Sequence, residues 1–283
     1  MFNNTQNTVN LSVYQGNEFS TFINAGEAAS IDEVIAQMED LIAACINTND
    51  RIGYFAALYY KVTKKVKEGI QNNEFENGAR MEKLDVIFAN RFLTAVRQWK
   101  TNISPTSPWV VTFGAVKKSS VLVLQHLLLG MNAHINLDLG MAAAQVSAGS
   151  DIKNIRNDFS AINAILGSLT FELLKEINRV SPLLSLFGLH ATNNSLLIQF
   201  SITNARDGSW AFAEELSTKN NIDYDACITV RSETIKKLGL ALLQAKGLIR
   251  ITIWIIHLFE WRRPRKIISV LYASRKEFIH VTQ

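Results

Sequence analysis

Apolar positions recur every three or four residues along most of this chain, the spacing that gives a helix one buried stripe. The first clear run is Ile31, Val34, Ile35, Met38, Leu41, Ile42 and Cys45, opened by Ser30 and Glu33 in capping-box spacing. A second follows Asp50 as N-cap, with Ile52, Phe55, Ala56, Tyr59, Tyr60, Val62, Thr63 and Val66 opposite a solvated lysine face at Lys61, Lys64, Lys65 and Lys67. After a polar connection at Asn72 to Gly78, a third runs from Ala79 to Lys100 through Met81, Leu84, Ile87, Phe88, Phe92, Val96 and Trp99. Ser104 to Pro108 ends it, and Pro108 suits the first turn of the next helix. The pattern is then helical to about Val146, with a break predicted at Lys117 to Ser120.

Beyond Gly149, Ser150 and Asp151 the helical spacing resumes through Ile152, Ile155, Phe159, Ile162, Ile165 and Leu166 to Ile177. Leu196 to Phe200 is read as helical for want of a partner strand. Further helices are predicted before Lys219, from about Tyr224 to Ala245, over Leu248 to Leu258, and from Arg265 toward Phe278. Residues 1–29, rich in Asn, Thr, Gly and Ser, read as a loose N-terminal arm, with Leu11, Val13, Phe19 and Phe22 able to tuck onto the body. The expected architecture is a single all-α domain over residues 30–283, a multi-helix bundle built around a buried central helix.

That central helix is the stretch from Gln125 to Gly140. It carries His126, His134, Asp138, Gln125, Asn132 and Asn136 between leucines, with the polar residues in two separated stripes. A surface helix has one polar face. Two polar stripes imply a helix walled in on all sides, whose polar groups need partners. His126, Gly130, His134 and Asp138 form one stripe and the candidate chemistry. Gln125, Asn132 and Asn136 form the other and read as scaffolding.

Composition narrows the function classes. The chain has 283 residues with only 14 Gly and 4 Pro, too few turn-formers for a fold of many short strands. A net charge of +4 with dispersed basic residues lacks the dense footprint of a nucleic-acid binder, so none is expected as partner. Cys45 and Cys227 both fall in helical apolar patterns and read as reduced thiols. With no secretory pattern in the first residues and no uncharged apolar run long enough to span a membrane, the expected location is cytoplasmic. The tryptophan- and arginine-bearing C-terminal helices admit peripheral membrane contact.

Phosphate-loop, dinucleotide, serine-hydrolase and zincin motifs are absent. His134 and Asp138, four residues apart, project from one side of a helix. They can ligate a divalent metal ion, act as an imidazole base with its orienting carboxylate, or only lock the bundle. A metal site needs about three protein ligands. Asp158 is the first candidate for the third, and Asp85 the next. His126 is a candidate supporting catalytic group. Arg91 is a candidate anion clamp for a substrate, with a salt bridge to Asp85 or Asp158 as its structural alternative. Tyr59 and Tyr60 offer phenols, one packed and one reaching outward, and Tyr60 is taken as the substrate-binding one.

Tyr54-Phe55-Ala56-Ala57-Leu58-Tyr59, Phe88-Ala89-Asn90-Arg91-Phe92, the segment from Gln125 to Leu139, and Asp158-Phe159 follow one another in an order that resembles the mainly bacterial domain-of-unknown-function family 5995. The resemblance spans roughly Ile31 to Leu271 and is most specific around His134. It implies one domain and the choice of site segment, and it supplies no catalytic roles. The expected function is a metal-dependent or His/Asp acid–base enzyme, a hydrolase or lyase, acting on a small or lipid-like substrate in a helix-lined pocket. The alternative is a non-catalytic ligand-binding or interaction protein whose His/Asp/Asn network is structural.

Overall fold

A computed structural model describes residues 18–184, 202–244 and 247–273, and among these every regular element is helical. In chain order the helices are α1 (Ser20–Asn24), α2 (Ile31–Thr48), α3 (Ile52–Gln71), α4 (Gly78–Lys100), α5 (Ser107–Ala115), α6 (Val123–Ala133) and α7 (Leu139–Val146). They continue as α8 (Arg156–Val180), α9 (Ile202–Ser217), α10 (Asn221–Leu243), α11 (Gly247–Phe259) and α12 (Pro264–Tyr272). A π-helical turn, His134–Asp138, joins α6 to α7, and a 3-10 turn, Ile152–Ile155, precedes α8.

Local chemistry sets most of these ends. The Ser30 hydroxyl accepts from the Glu33 amide, and the Glu33 carboxylate accepts from the Ala29 amide. Asp50 Oδ1 takes the Ile52 amide, Asn77 takes that of Arg80, and Asn220 takes that of Asp223. Each side chain satisfies an amide that the first helical turn leaves open, worth about 1 kcal/mol apiece. Pro108 and Pro264 stand in the first turns of α5 and α12. The break predicted at Lys117 to Ser120 separates α5 from α6. Leu196 to Phe200 lies outside the described residues.

Every residue from Val121 to Ala144 is buried. The run α6–π turn–α7 is therefore the axis of the bundle, packed against α3, α4, α5, α9 and α10. Two glycines allow its neighbours that close. A Cβ at Gly130 would lie 2.4 Å from the Phe55 ring of α3, and one at Gly140 would lie 2.8 Å from the Ser209 carbonyl of α9. Both are far inside contact distance, and at Gly140 the obstacle is backbone.

The scaffolding stripe behaves as its spacing implied. Gln125 Nε2 donates to the Leu242 carbonyl and Asn132 Nδ2 to the Ile235 carbonyl, while Asn136 Nδ2 donates to Asn132 Oδ1. Arg231 Nε returns a bond to the Asn136 carbonyl. The bonds involving Leu242, Ile235 and Arg231 tie the axis to α10, and the one between the two asparagines braces the axis itself. At the start of α6 the Val123 amide donates to the Glu260 carboxylate, an acid at the positive end of a helix dipole. Burial nonetheless pushes the Glu260 carboxyl up to about 7.

The described end of the arm, residues 18–29, is packed onto the body. Phe19 and Phe22 are buried, and Asn90 of α4 holds Ala28 through both its backbone amide and its carbonyl. Leu11 and Val13 lie outside the described residues. At the other end, α12 buries Pro264, Ile267, Ile268 and Leu271 against α2, α3 and α8. By contrast α11 turns Ile251, Trp254, Leu258 and Phe259 to the outside, Trp254 at 61% exposure. No helix among the described residues is long and apolar enough to cross a membrane.

Candidate functional site

The π turn places the His134–Asp138 cluster of the axis. In a π turn the bond closes five residues on, and here the Leu139 amide donates to the His134 carbonyl. Asp138 Oδ2 accepts from Trp109 Nε1 at 2.9 Å and faces His134 Nδ1 at 3.2 Å. A carboxylate only accepts, so the proton of the neutral imidazole sits on Nδ1 and the lone pair on Nε2. Burial lowers the His134 pKa, outweighing the upward pull of Asp138, so the ring is neutral at neutral pH. Its Nε2 is buried with no hydrogen-bond partner.

Aromatic rings fix that imidazole in place. Phe88 stacks on it at 3.6 Å between centroids and 7° between planes, and Tyr59 meets it edge-on at 4.4 Å. Phe55, Phe92 and Trp109 complete the surround.

His134 opens onto a cavity of about 830 Å³, counting its mouth. Only about 80 Å³ of that is cavity proper, so the space is narrow. Its walls are aliphatic and aromatic, from α3, α4, the axis, α8 and α9. The polar side chains in them are Tyr59, Asp85, His134 and Arg206. Asp85 Oδ2 is buried without a partner, and burial, with Glu82 nearby, pushes the carboxyl up to about 7. Burial and the nearby charges of Asp85 and Asp138 push the Tyr59 phenol well above its ordinary value.

The other residues singled out from the sequence fall elsewhere. Asp158 is not beside the pair. Its Oδ2 accepts from Arg80 Nη2 at 2.6 Å and its Oδ1 from the Glu76 amide at 2.7 Å, which fastens α8 to the connection before α4. Among the described residues no group of three His, Cys, Asp or Glu is placed to hold a metal ion. Asp158 is thus not the third ligand to His134 and Asp138, and no other carboxylate, histidine or cysteine among the described residues takes that place.

His126 lies outside the cavity wall, edge-on to Tyr54, and burial with Arg51 nearby lowers its pKa to about 3. Tyr60 donates to Glu39 Oε1 at 2.7 Å, away from the cavity; Tyr59, its neighbour in sequence, is the phenol in the wall. Helical spacing from Phe55 through Tyr59 to Val62 and Val66 was the signal for that choice.

Arg91 makes neither of the salt bridges considered for it. It donates to Gln145 Oε1 at 2.9 Å and to Met141 Sδ. With Asn90, Gln98, Trp109 and Asp138 it lines a separate, polar cleft. Asp138 thus stands in the wall between a polar cleft on one side and, through His134, an apolar cavity on the other. Arg206, which the sequence reading passed over, sits on the apolar face of α9 one turn after Ile202.

These features define an all-helical bundle holding an apolar cavity with one oriented, neutral imidazole in its wall. Residues 31–245 match the model of a family described as a family of unknown function, DUF5995, and the chain belongs to that family. The match covers α2 to α10 and stops short of the two C-terminal helices. No curated protein and no solved structure matches the chain.

Proposed function

We propose that this protein takes a slender apolar, lipid-like molecule into the cavity and moves a proton on it, with His134 as the base. The observation that carries this reading is the partnerless Nε2 of a neutral imidazole, pinned by Asp138, on a residue in the wall of an apolar chamber. A base in such a place works when its pKa and its orientation are both set by the surroundings. Asp85, its carboxyl pushed up to about 7 and so about half protonated at neutral pH, supplies the complementary acid.

The chemistry that suits this set is proton transfer at a carbon next to a carbonyl. Nε2 takes the proton, the electron pair of the C–H bond becomes a carbon–carbon double bond, and the π pair of the carbonyl passes to its oxygen. The Asp85 and Tyr59 hydroxyls donate hydrogen bonds to that oxygen. The imidazolium, stabilised by Asp138, then returns the proton to the carbon or to its conjugated neighbour. No oxidant, reductant or metal is consumed.

Deuterium incorporation into a long-chain methyl ketone in heavy water tests this by mass spectrometry. The wild type should exchange the protons beside the carbonyl, and His134→Gln should slow that by roughly 100-fold or more, the usual weight of a general base. Exchange no faster than in buffer would overturn the enzyme reading. Binding of the apolar fluorophore diphenylhexatriene without exchange would leave a ligand-binding protein, a reading that the sparse polarity of the walls favours. A divalent metal bound one-to-one and lost in His134→Ala would make Nε2 a metal ligand instead.

A lipid-like ligand needs a source, and α11 offers a surface for one. Ile251, Trp254 and Leu258 share a face, Phe259 and Trp261 extend it, and Arg250, Arg262, Arg263, Arg265 and Lys266 flank it. Between Gly247 and Ala273 the single acid is the buried Glu260. Apolar side chains ringed by cations suit the surface of an anionic bilayer. The protein should sediment with vesicles of phosphatidylcholine and phosphatidylglycerol but not of phosphatidylcholine alone. Trp254→Ala with Phe259→Ala should weaken this about tenfold, a loss of roughly 1.4 kcal/mol. Equal sedimentation of both proteins, or none with either vesicle, would remove the membrane from the reading.

A further inference from the structure

Arg206 is a buried cation without a counter-ion among the described residues. It is 3% exposed, on α9 in the wall of the cavity. Its Nη2 donates to the Phe159 carbonyl, and its guanidinium lies over the Phe159 ring, 4.5 Å from the centroid. Its Nε is buried without a partner, and no carboxylate forms an ion pair with it among the described residues. The adjacent acid, Asp207, is exposed and acts on it only through space. Burial draws the group down to about 10, so it remains charged at neutral pH.

An unpaired buried charge is costly, and proteins carry one where a partner arrives from outside. The surroundings say what that partner is. Ile162, Leu166 and Ile202 line the same wall and are aliphatic, so the body of the ligand beside the cation is hydrocarbon. The chamber is too narrow for a bulky ring system. Arg206 is the one cation among the described lining residues, because His134 is neutral. A single guanidinium matches one carboxylate, whose two oxygens meet its planar fork. A phosphate dianion would bring an excess negative charge into an apolar wall.

Building on the reading that the cavity holds an apolar ligand, we infer that the occupant is a single-chain carboxylate amphiphile of the fatty-acid class, its head paired with Arg206 and its chain in the cavity that His134 faces. The fluorescent polyene cis-parinaric acid and its methyl ester have the same chain and differ in charge, which makes them a direct test. The wild type should bind the acid at least about tenfold more tightly than the ester. Arg206→Gln should remove most of that preference by weakening the acid, while the ester binds as before.

Equal binding of acid and ester by the wild type would overturn the inference, and this comparison requires no variant to fold. A preference for the acid that persists in a folded Arg206→Gln protein would also overturn it, by placing the head elsewhere. If neither compound nor diphenylhexatriene binds the wild type, the cavity reading itself fails. Binding of the ester and diphenylhexatriene without preference for the acid removes the carboxylate alone.

Discussion

Replacing Asp138 with Asn should lower the melting temperature by several degrees, and replacing it with Ala by about twice as much. One oxygen, Asp138 Oδ2, accepts from Trp109 Nε1 and pairs with His134 Nδ1, and all three side chains are buried. An asparagine keeps one carbonyl oxygen for those two donors, loses the charge that strengthens both bonds, and adds an amide whose own hydrogens need acceptors. Leaving one buried donor unsatisfied costs about 1–3 kcal/mol. For a chain of this size each kcal/mol is worth roughly 2–4 °C. Alanine orphans both donors, whereas Trp109→Phe removes one donor together with its bond and should cost less than either.

Scanning calorimetry on the four proteins checks that ranking, and a fully stable Asp138→Asn would show that the pair is not the lock it resembles. Nitrogen NMR of the His134 ring adds a readout that stability alone does not move. In the wild type Nδ1 carries the proton. An asparagine that turns its amide toward Nδ1 shifts the proton to Nε2 and removes the lone pair from the cavity. Ketone exchange would then fall further than the loss of folded protein accounts for.

What could be read from the sequence was what depends on near neighbours along the chain. Ser30 with Glu33, Asp50, and the prolines at 108 and 264 act within one turn of themselves, so the helix ends they set fell close to expectation. The two polar stripes of the axis were legible for a similar reason, since helical spacing alone separates Asn132 and Asn136 from His134. Spacing gives a direction but not the partner met there. Asp158 has the right character for a third ligand, yet its partner is Arg80, and nothing in its own segment says so. Trp109 reaches Asp138 from another helix, with no trace in the spacing of either. The π turn is also silent, because a widened turn needs no special residue. Arg206 was passed over because one charge on an apolar helical face reads as a side chain reaching for water; only the closure of α9 over the cavity leaves it inside.

The second large effect is a gain of stability. Asp85→Asn should make the protein more stable at about pH 8 and leave it unchanged below about pH 4. The folded carboxyl is pushed up to about 7 from an ordinary 3.8, chiefly by burial. Below the lower value it is neutral in both folded and unfolded chains, and asparagine copies its shape at no charge. Between the two values the unfolded chain gives up its proton and the folded one keeps it, so wild-type stability falls as pH rises. Above about 7 the folded group ionises too and the deficit levels off. The interval from about 4 to about 7 corresponds to about 4 kcal/mol as an upper bound.

Asparagine does not titrate, so the difference between the two proteins isolates this one group. Other shifted groups, Glu260 and His134 among them, contribute to both curves and cancel. Urea unfolding across that range measures the difference directly, and a gap that does not widen between about pH 4 and pH 8 would mean that the carboxyl is not held protonated. The same variant should exchange ketone protons more slowly, since a carboxamide is a far weaker hydrogen-bond donor to a developing enolate. A substitution that gains stability while losing activity is the signature of a residue retained for its chemistry. Asp85 Oδ2 has no structural partner to explain its place in an apolar wall, and the proposed proton transfer would supply that explanation.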